Sequence, residues 1–299
     1  MLHSIFCTFL CCFLTVSLSA QSFNQRITQD DASLKLVGSI NKEALSSEPF
    51  AAWFSSEWEA YQPDASIVAS LQTQLSEYTI TAFMGTWCGD SQREIPRFYK
   101  VLEAAAFPLD RLQLIALDND RSQYKQSPGG EEEGLGIHRV PTFVVYKNHR
   151  EIGRIVESPK TSLEADLLAI ITSETYEPKY PEVTFIIQQL KNQGAASLHE
   201  PQPYVIAALK ERAQDLRGML TYSSVLLAAE EPEAAVAVAT LATLVFPEEY
   251  YTFVNLGNKL QAVGKREAGI AAYEKALDLH PDDKNLQETI AVLKGAKAD

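Results

Sequence analysis

The chain has 299 residues, 46% of them hydrophobic, and a formal net charge of −13. The length suggests about two domains, and the composition supports a buried core. The acid excess argues against a nucleic-acid binder, because affinity for phosphates requires clustered Lys and Arg, and a solvated acidic surface accounts for it.

Residues 1–20 read as a secretory signal. From Leu2 to Ala20 the only ionisable side chain besides the cysteines is His3, Ile5 to Leu18 is almost wholly apolar, and Ser17-Leu18-Ser19-Ala20 supplies small residues for cleavage. No Lys or Arg precedes the apolar run, so an uncleaved membrane anchor is the alternative, although the run falls short of the roughly 20 apolar residues a spanning helix needs. Cys11 and Cys12 do not follow the small residues that mark lipid attachment. The expected location is extracytoplasmic, such as a bacterial periplasm. Cys7, Cys11 and Cys12 lie in the signal, so an exported chain keeps Cys88 alone. It has no internal disulfide to form even in an oxidising compartment. An odd thiol there points to a reactive group or an intermolecular bond.

Residues 21–63 read as an N-terminal extension. Gln21 to Ser33 is a polar entry segment, and Pro49 to Tyr61 a helix whose Trp53, Phe54, Trp58 and Tyr61 face either a core or a substrate. Asp64 caps a helix reaching Ser76, with Ile67, Leu71 and Leu75 at helical spacing. Tyr78 to Gly85 is a β-branched and aromatic run and reads as a strand. The cysteine follows at once in Trp87-Cys88-Gly89-Asp90-Ser91. Glu94 to Ala106 reads as a helix kinked by Pro96. Leu112 to Leu117 is a second strand, and Ser127 to Gly134 a loop with a solvated acidic triplet. Thr142 to Tyr146 and Glu151 to Val156 are strands joined by a turn at Asn148-His149-Arg150. Ser162 caps a helix ending at Thr172. This order gives a mixed sheet covered by helices. A boundary falls between Thr175 and Pro181, and every later segment reads helical.

A cysteine between a strand and a helix meets the unpaired N–H groups and positive dipole of the first turn. Both favour the thiolate, the nucleophile of disulfide exchange. The alternative is an inert buried cysteine, but Gly89-Asp90-Ser91 does not look like core. Trp87 to Ser91 resembles the Trp-Cys-Gly-Pro-Cys motif of the thioredoxin superfamily. Pro96 matches that family's helix-kinking proline, and Gly136 to Asn148 resembles the strand carrying its cis-proline. The resemblance spans roughly Gln72 to Glu174. It implies an α/β thioredoxin fold over residues 64–177, a cis Val140-Pro141 bond facing Cys88, and substrate contacts from Trp87, Gly89, Asp90, Val140, Pro141 and Thr142, with the Val140 backbone free to pair with a peptide.

Three departures change the chemistry. Ser91 replaces the second cysteine, Asp90 replaces the motif proline, and Ala82 stands where thioredoxins keep a buried acid. Asp90 opposes the thiolate, by about a kcal/mol or less at an exposed site. Ser91 cannot resolve a mixed disulfide, though its hydroxyl has a hydrogen bond to offer the thiolate; a helix-cap or surface role is the alternative. Cys88 and Ser91 are therefore the candidate catalytic pair for monothiol or isomerase-like exchange on protein or small-molecule disulfides, released by an outside or substrate thiol. A redox-inactive adaptor or chaperone-like module is the second reading. Peroxide sensing is the third, weakened by the lack of a resolving thiol. His138, His149 and His199 lack zinc-site spacing, Pro128-Gly129-Gly130 lacks a phosphate-loop lysine, and no metal or cofactor is implied.

Near the C-terminus, Phe253 to Leu260, Gly264, Gly269, Tyr273, Ala276 and Pro281 alternate large and small residues at helix–turn–helix offsets. The pattern resembles the tetratricopeptide repeat, with its period of about 34 residues. Pro247 precedes Pro281 by that interval, and the same step sets Ala235, Ala239 and Ala242 on an earlier helix, with Leu226 in place of Leu260 and Glu230 in place of Gly264. Repeats are expected over 215–299, after a helical linker region at 178–214. By resemblance they bind a protein partner on a concave face; a purely structural appendage is the alternative.

Overall fold

The computed structural model describes residues 23–173 and 175–295; the signal expected at 1–20 lies outside them. No helix among the described residues is long and apolar enough to cross a membrane.

The first part of the chain builds one six-stranded sheet. Its strands are β1 (Gln25–Thr28), β2 (Leu34–Ile40), β3 (Thr79–Met84), β4 (Leu112–Ala116), β5 (Thr142–Lys147) and β6 (Arg150–Val156), in the order β1-β2-β4-β3-β5-β6. Only β3 and β4 pair in parallel. That pair needs a crossover, supplied by α4 (Gly89–Ala104). Side chains alternate cleanly. Ile80, Ala82 and Met84 of β3 join Leu114, Ala116, Phe143 and Val145 in the main core, while Phe83, Ile115 and Val144 form a second cluster on the other face. Helices α2 (Ala51–Ala60), α3 (Ala65–Gln72), α4 and α5 (Leu163–Thr172) contribute to the main core. Asp64 and Ser162 cap α3 and α5 through their side chains. Phe54 on α2 is buried and contacts Trp58 and Tyr99, so that aromatic face is core.

Residues 21–63 do more than extend the domain. After a short helix α1 (Lys42–Leu45) come the packed aromatics of α2, and before it β1 and β2 join the sheet, with Gly38 to Ile40 paired to Leu114 to Ala116. The polar entry segment at Gln21 to Ser33 thus contains strand β1. The sequence hides β2 because it is buried on both faces and carries a lysine and a glycine in its middle, which removes the period of two. Lys35 is 1% exposed; its ammonium lies 2.5 Å from Asp118 and 2.9 Å from Asp120, and donates to Asn119 Oδ1. Burial pulls its pKa down, but the bonds and charges of Asp118 and Asp120 leave it above the ordinary lysine value.

The second part is all-helical: α6 (Pro181–Gln193), α7 (Ala196–His199), α8 (Pro203–Arg212), α9 (Arg217–Ala228), α10 (Pro232–Val245), α11 (Tyr250–Ala262), α12 (Arg266–Leu279) and α13 (Lys284–Gly295). Helices α9/α10 and α11/α12 stack as pairs. The two parts meet along a seam. There the His138 ring stands edge-on to Tyr180 and Tyr222, Arg139 lies over the Tyr180 ring, and the Tyr180 hydroxyl donates to Glu157.

Candidate functional site

Strand β3 ends at Met84, and the turn that follows delivers Cys88 to the head of α4. Cys88 N–H donates to Gly85 O at 2.9 Å, closing the turn, and Gln92 N–H donates to Cys88 O at 2.9 Å, opening the helix. Gly85 is required by space: a Cβ there would sit 2.4 Å from the Trp87 ring. Trp87 is held by its indole N–H, which donates to Leu117 O at 2.9 Å. The helix therefore begins inside the motif, five residues earlier than Glu94. Asp90 suits that first turn, where acids meet the positive dipole end.

Cys88 is a free cysteine, half-buried at the N-cap of α4. Its thiol donates to Val140 O at 3.3 Å, and the Val140-Pro141 peptide bond is cis. The cysteine and the proline strand are thus brought together across 52 residues of sequence. Trp87 and Asp90 are half-buried and Gly89 is exposed beside them. Asp90 is not a bare negative charge, since its carboxylate accepts from Arg93 Nη2 at 2.8 Å and Arg93 Nε reaches Glu94 at 2.7 Å. Ser91 is fully buried and its Oγ accepts from Gly85 N–H at 3.1 Å, which ties the turn to the helix. Val140, Pro141 and Thr142 are buried. The Val140 carbonyl accepts the Cys88 thiol, and the Thr142 hydroxyl donates to Arg139 O at 2.7 Å. The solvent-facing part of the motif is therefore Trp87 to Asp90.

Sequence reasoning missed Lys125. It sits in the long connection between β4 and β5, 4% exposed, its Nζ 5.0 Å from the Trp87 ring centroid and 4.9 Å from that of Tyr124. Burial pushes its pKa down to about 8, while the nearby Cys88 pulls it up. At neutral pH it is a cation within electrostatic reach of the thiol. The signal available was weak: a lone lysine in a polar loop gives no period and no motif. His138 is buried beside the cis-proline strand, with Nδ1 3.2 Å from Gly136 O and Nε2 unpartnered.

No family model matches the chain, and no solved structure matches it. Over 83 residues the chain is 32% identical to a thioredoxin of Malassezia sympodialis, a stretch covering 28% of this chain and 71% of that relative. Identity at that level across most of a thioredoxin's length places this chain in the thioredoxin family.

Proposed function

We propose that the protein is an exported monothiol exchange protein acting on disulfides of polypeptide substrates through Cys88. The observation that carries this reading is the half-buried Cys88 thiol at the head of α4, beside the cis-proline strand and in reach of the Lys125 cation. The Cys88 thiolate attacks one sulfur of a substrate disulfide; that S–S bond breaks, a mixed disulfide forms, and the other substrate sulfur leaves as a thiolate and takes a proton. No second thiol follows in the motif. A second substrate thiol, giving isomerisation, or an external small thiol attacks the substrate sulfur of the adduct and releases the Cys88 thiolate; in the second case a substrate–small-thiol disulfide is left, and a second small thiol completes the reduction and leaves as the small-molecule disulfide. Helices α9 to α13, read as tetratricopeptide-like repeats, dock the protein partner.

The test is trapping. In a chain without residues 1–20, Cys88 should be alkylated at neutral pH faster than an unstructured cysteine peptide. It should also form an adduct with a disulfide-bonded protein that reductant releases and Cys88→Ser lacks. Replacing Lys125 with Met should slow alkylation several-fold, on the order of the 1 kcal/mol that a neighbouring charge contributes at a partly exposed site. An unreactive thiol in folded protein, with no adduct, would sink the reading. The adaptor alternative would then stand, and the burial of Val140, Pro141 and Thr142 is the observation that favours it.

A further inference from the structure

Between the β4–β5 connection and helices α9 and α11 lies a cleft of about 820 Å³, within the range of about 300–1,000 Å³ usual for ligand sites. Its lining is unusual in polarity. Lys259 on α11 is 6% exposed, and no carboxylate lies within ion-pair distance of it among the described residues. Its Nζ donates to Ser224 Oγ at 2.9 Å, and that hydroxyl spends its own hydrogen on Leu220 O at 3.1 Å. An ammonium carries three donors, so two remain for whatever enters the cleft. Arg121, exposed on the sheet side, lines the same cleft, and burial together with the Arg121 charge pushes Lys259 down to about 8.

Two amides on the lining are oriented by internal donors. The Tyr273 hydroxyl donates to Asn258 Oδ1 at 2.8 Å, and Lys35 Nζ donates to Asn119 Oδ1 at 3.1 Å. With both oxygens occupied, each side chain offers its NH2 end. The cleft thus gathers a guanidinium, an ammonium and two amide donors, against a single carboxylate, Glu230, which is exposed on the lining. It is a cavity of donors in a protein whose net charge is −13. Tyr124, on the lining, also touches the Lys125 cation that lies over the Trp87 ring, next in sequence to Cys88.

We infer that this cleft binds a carboxylate-bearing polypeptide segment, held between Lys259 and Arg121, and so sets which chains reach Cys88. The assignment of a polypeptide rests on the function proposed above; the anion site itself rests on the lining. Neither half of the molecule makes the site alone, since Arg121 and Asn119 come from the sheet region and Lys259 and Asn258 from the helices.

Binding is measured on the full chain carrying Cys88→Ser, so that thiol chemistry plays no part and failure here is separable from failure of the exchange reading. Fluorescence anisotropy is followed with a fluorescein-labelled Ser/Gly peptide containing Glu. Two companions are run beside it, one with Gln for each Glu and one with an amidated C-terminus. The Glu peptide should bind more tightly than the Gln peptide; loss on amidation instead would assign the chain terminus as the carboxylate. Lys259→Met and Arg121→Ser should each weaken the acidic peptide at least about tenfold, as expected for losing a hydrogen bond to a charged group, and leave the neutral peptide unchanged. Arg121 is exposed, so its variant keeps the fold, and a thermal melt checks the other. Equal binding of the acidic, Gln and amidated peptides, or wild-type affinity in both variants, overturns the inference. So does saturable binding of inorganic phosphate that both variants abolish while no peptide binds.

Discussion

Two regions of this molecule bury basic side chains and treat them in opposite ways. Inside the sheet, Lys35 is buried against Asp118 and Asp120. Along the seam and cleft between the sheet and the helices, Lys125, His138 and Lys259 are buried with no carboxylate in ion-pair contact among the described residues. A buried charge without a partner is disfavoured, and the pKa directions record the difference. Lys35 lies above its ordinary value, whereas Lys125 and Lys259 fall to about 8 and His138 to about 3. The sheet satisfies its charge internally and is stabilised by it; the seam holds charge in reserve, at a cost in stability, where a thiolate or a ligand can use it.

The largest way to break this comparison is acid. His138 is held neutral chiefly by burial, with Arg139, Arg154 and Lys125 also opposing its protonation and the Gly136 carbonyl opposing them. An unfolded chain takes up that proton near pH 6.5, the folded chain only near 3. The stability it contributes is therefore fully present above 6.5 and lost as pH falls toward 3, on the order of 5 kcal/mol across the window. Because His138 touches Tyr180 and Tyr222 across the seam, the loss should appear first as separation of the helices from the sheet. Urea melts from pH 7 to 4 on wild type and His138→Phe test this. The variant, which keeps an aromatic edge for the two tyrosines, should lose most of the acid slope; an unchanged slope would place the acid sensitivity elsewhere.

How much of this was legible beforehand follows from the kind of signal each part leaves. Cys88, Pro96 and Pro141 belong to local motifs with a fixed backbone role, β3 to β5 carry apolar runs, and β6, interrupted by Glu151, Gly153 and Arg154, is marked by the hairpin turn that joins it to β5, so all were readable. Strand β2 was not, because Lys35 sits in it, and the reason a lysine is tolerated there lies 83 residues away at Asp118. Lys125 and Lys259 were invisible for the converse reason: what matters about them is a partner that is absent, and absence leaves no spacing. Ser91 was read for its chemistry and turned out to hold the Gly85 turn together through its Oγ, a contact no linear pattern encodes.

A second, smaller effect sharpens the contrast through matched substitutions. Lys35→Met strands the buried Asp118 carboxylate, while the exposed Asp120 returns to solvent, and should destabilise the fold by about 3 kcal/mol. Lys259→Met removes a cation that no carboxylate balances, keeps the apolar stem, and should leave stability at pH 7 unchanged or raise it by about 1–2 kcal/mol. Chemical denaturation of both variants beside wild type reads the sign directly. If Lys259→Met proved as damaging as Lys35→Met, that lysine would be structural, and the idea of charge held in reserve would fail.

The smallest effect lies in the helices and links their two pairs. Gly264 ends the first helix of the later pair with φ +74, and at the equivalent turn of the earlier pair Glu230 adopts φ +58. Left-handed backbone costs a residue with a Cβ about 1 kcal/mol more than it costs glycine, so Glu230→Gly should stabilise the helical region by about that amount and Gly264→Ala should destabilise it similarly. Glu230 is also the carboxylate on the lining of the donor-lined cleft. A glutamate kept where glycine fits better makes physical sense if its charge moderates the cleft, repelling small anions while a longer acidic segment engages Lys259 and Arg121. Glu230→Gly should then gain stability and bind the acidic peptide more tightly, the two readouts moving together. A gain in stability with peptide affinity unchanged would mean that Glu230 acts only through its backbone, and that the field in the cleft is set by its cations and amides alone.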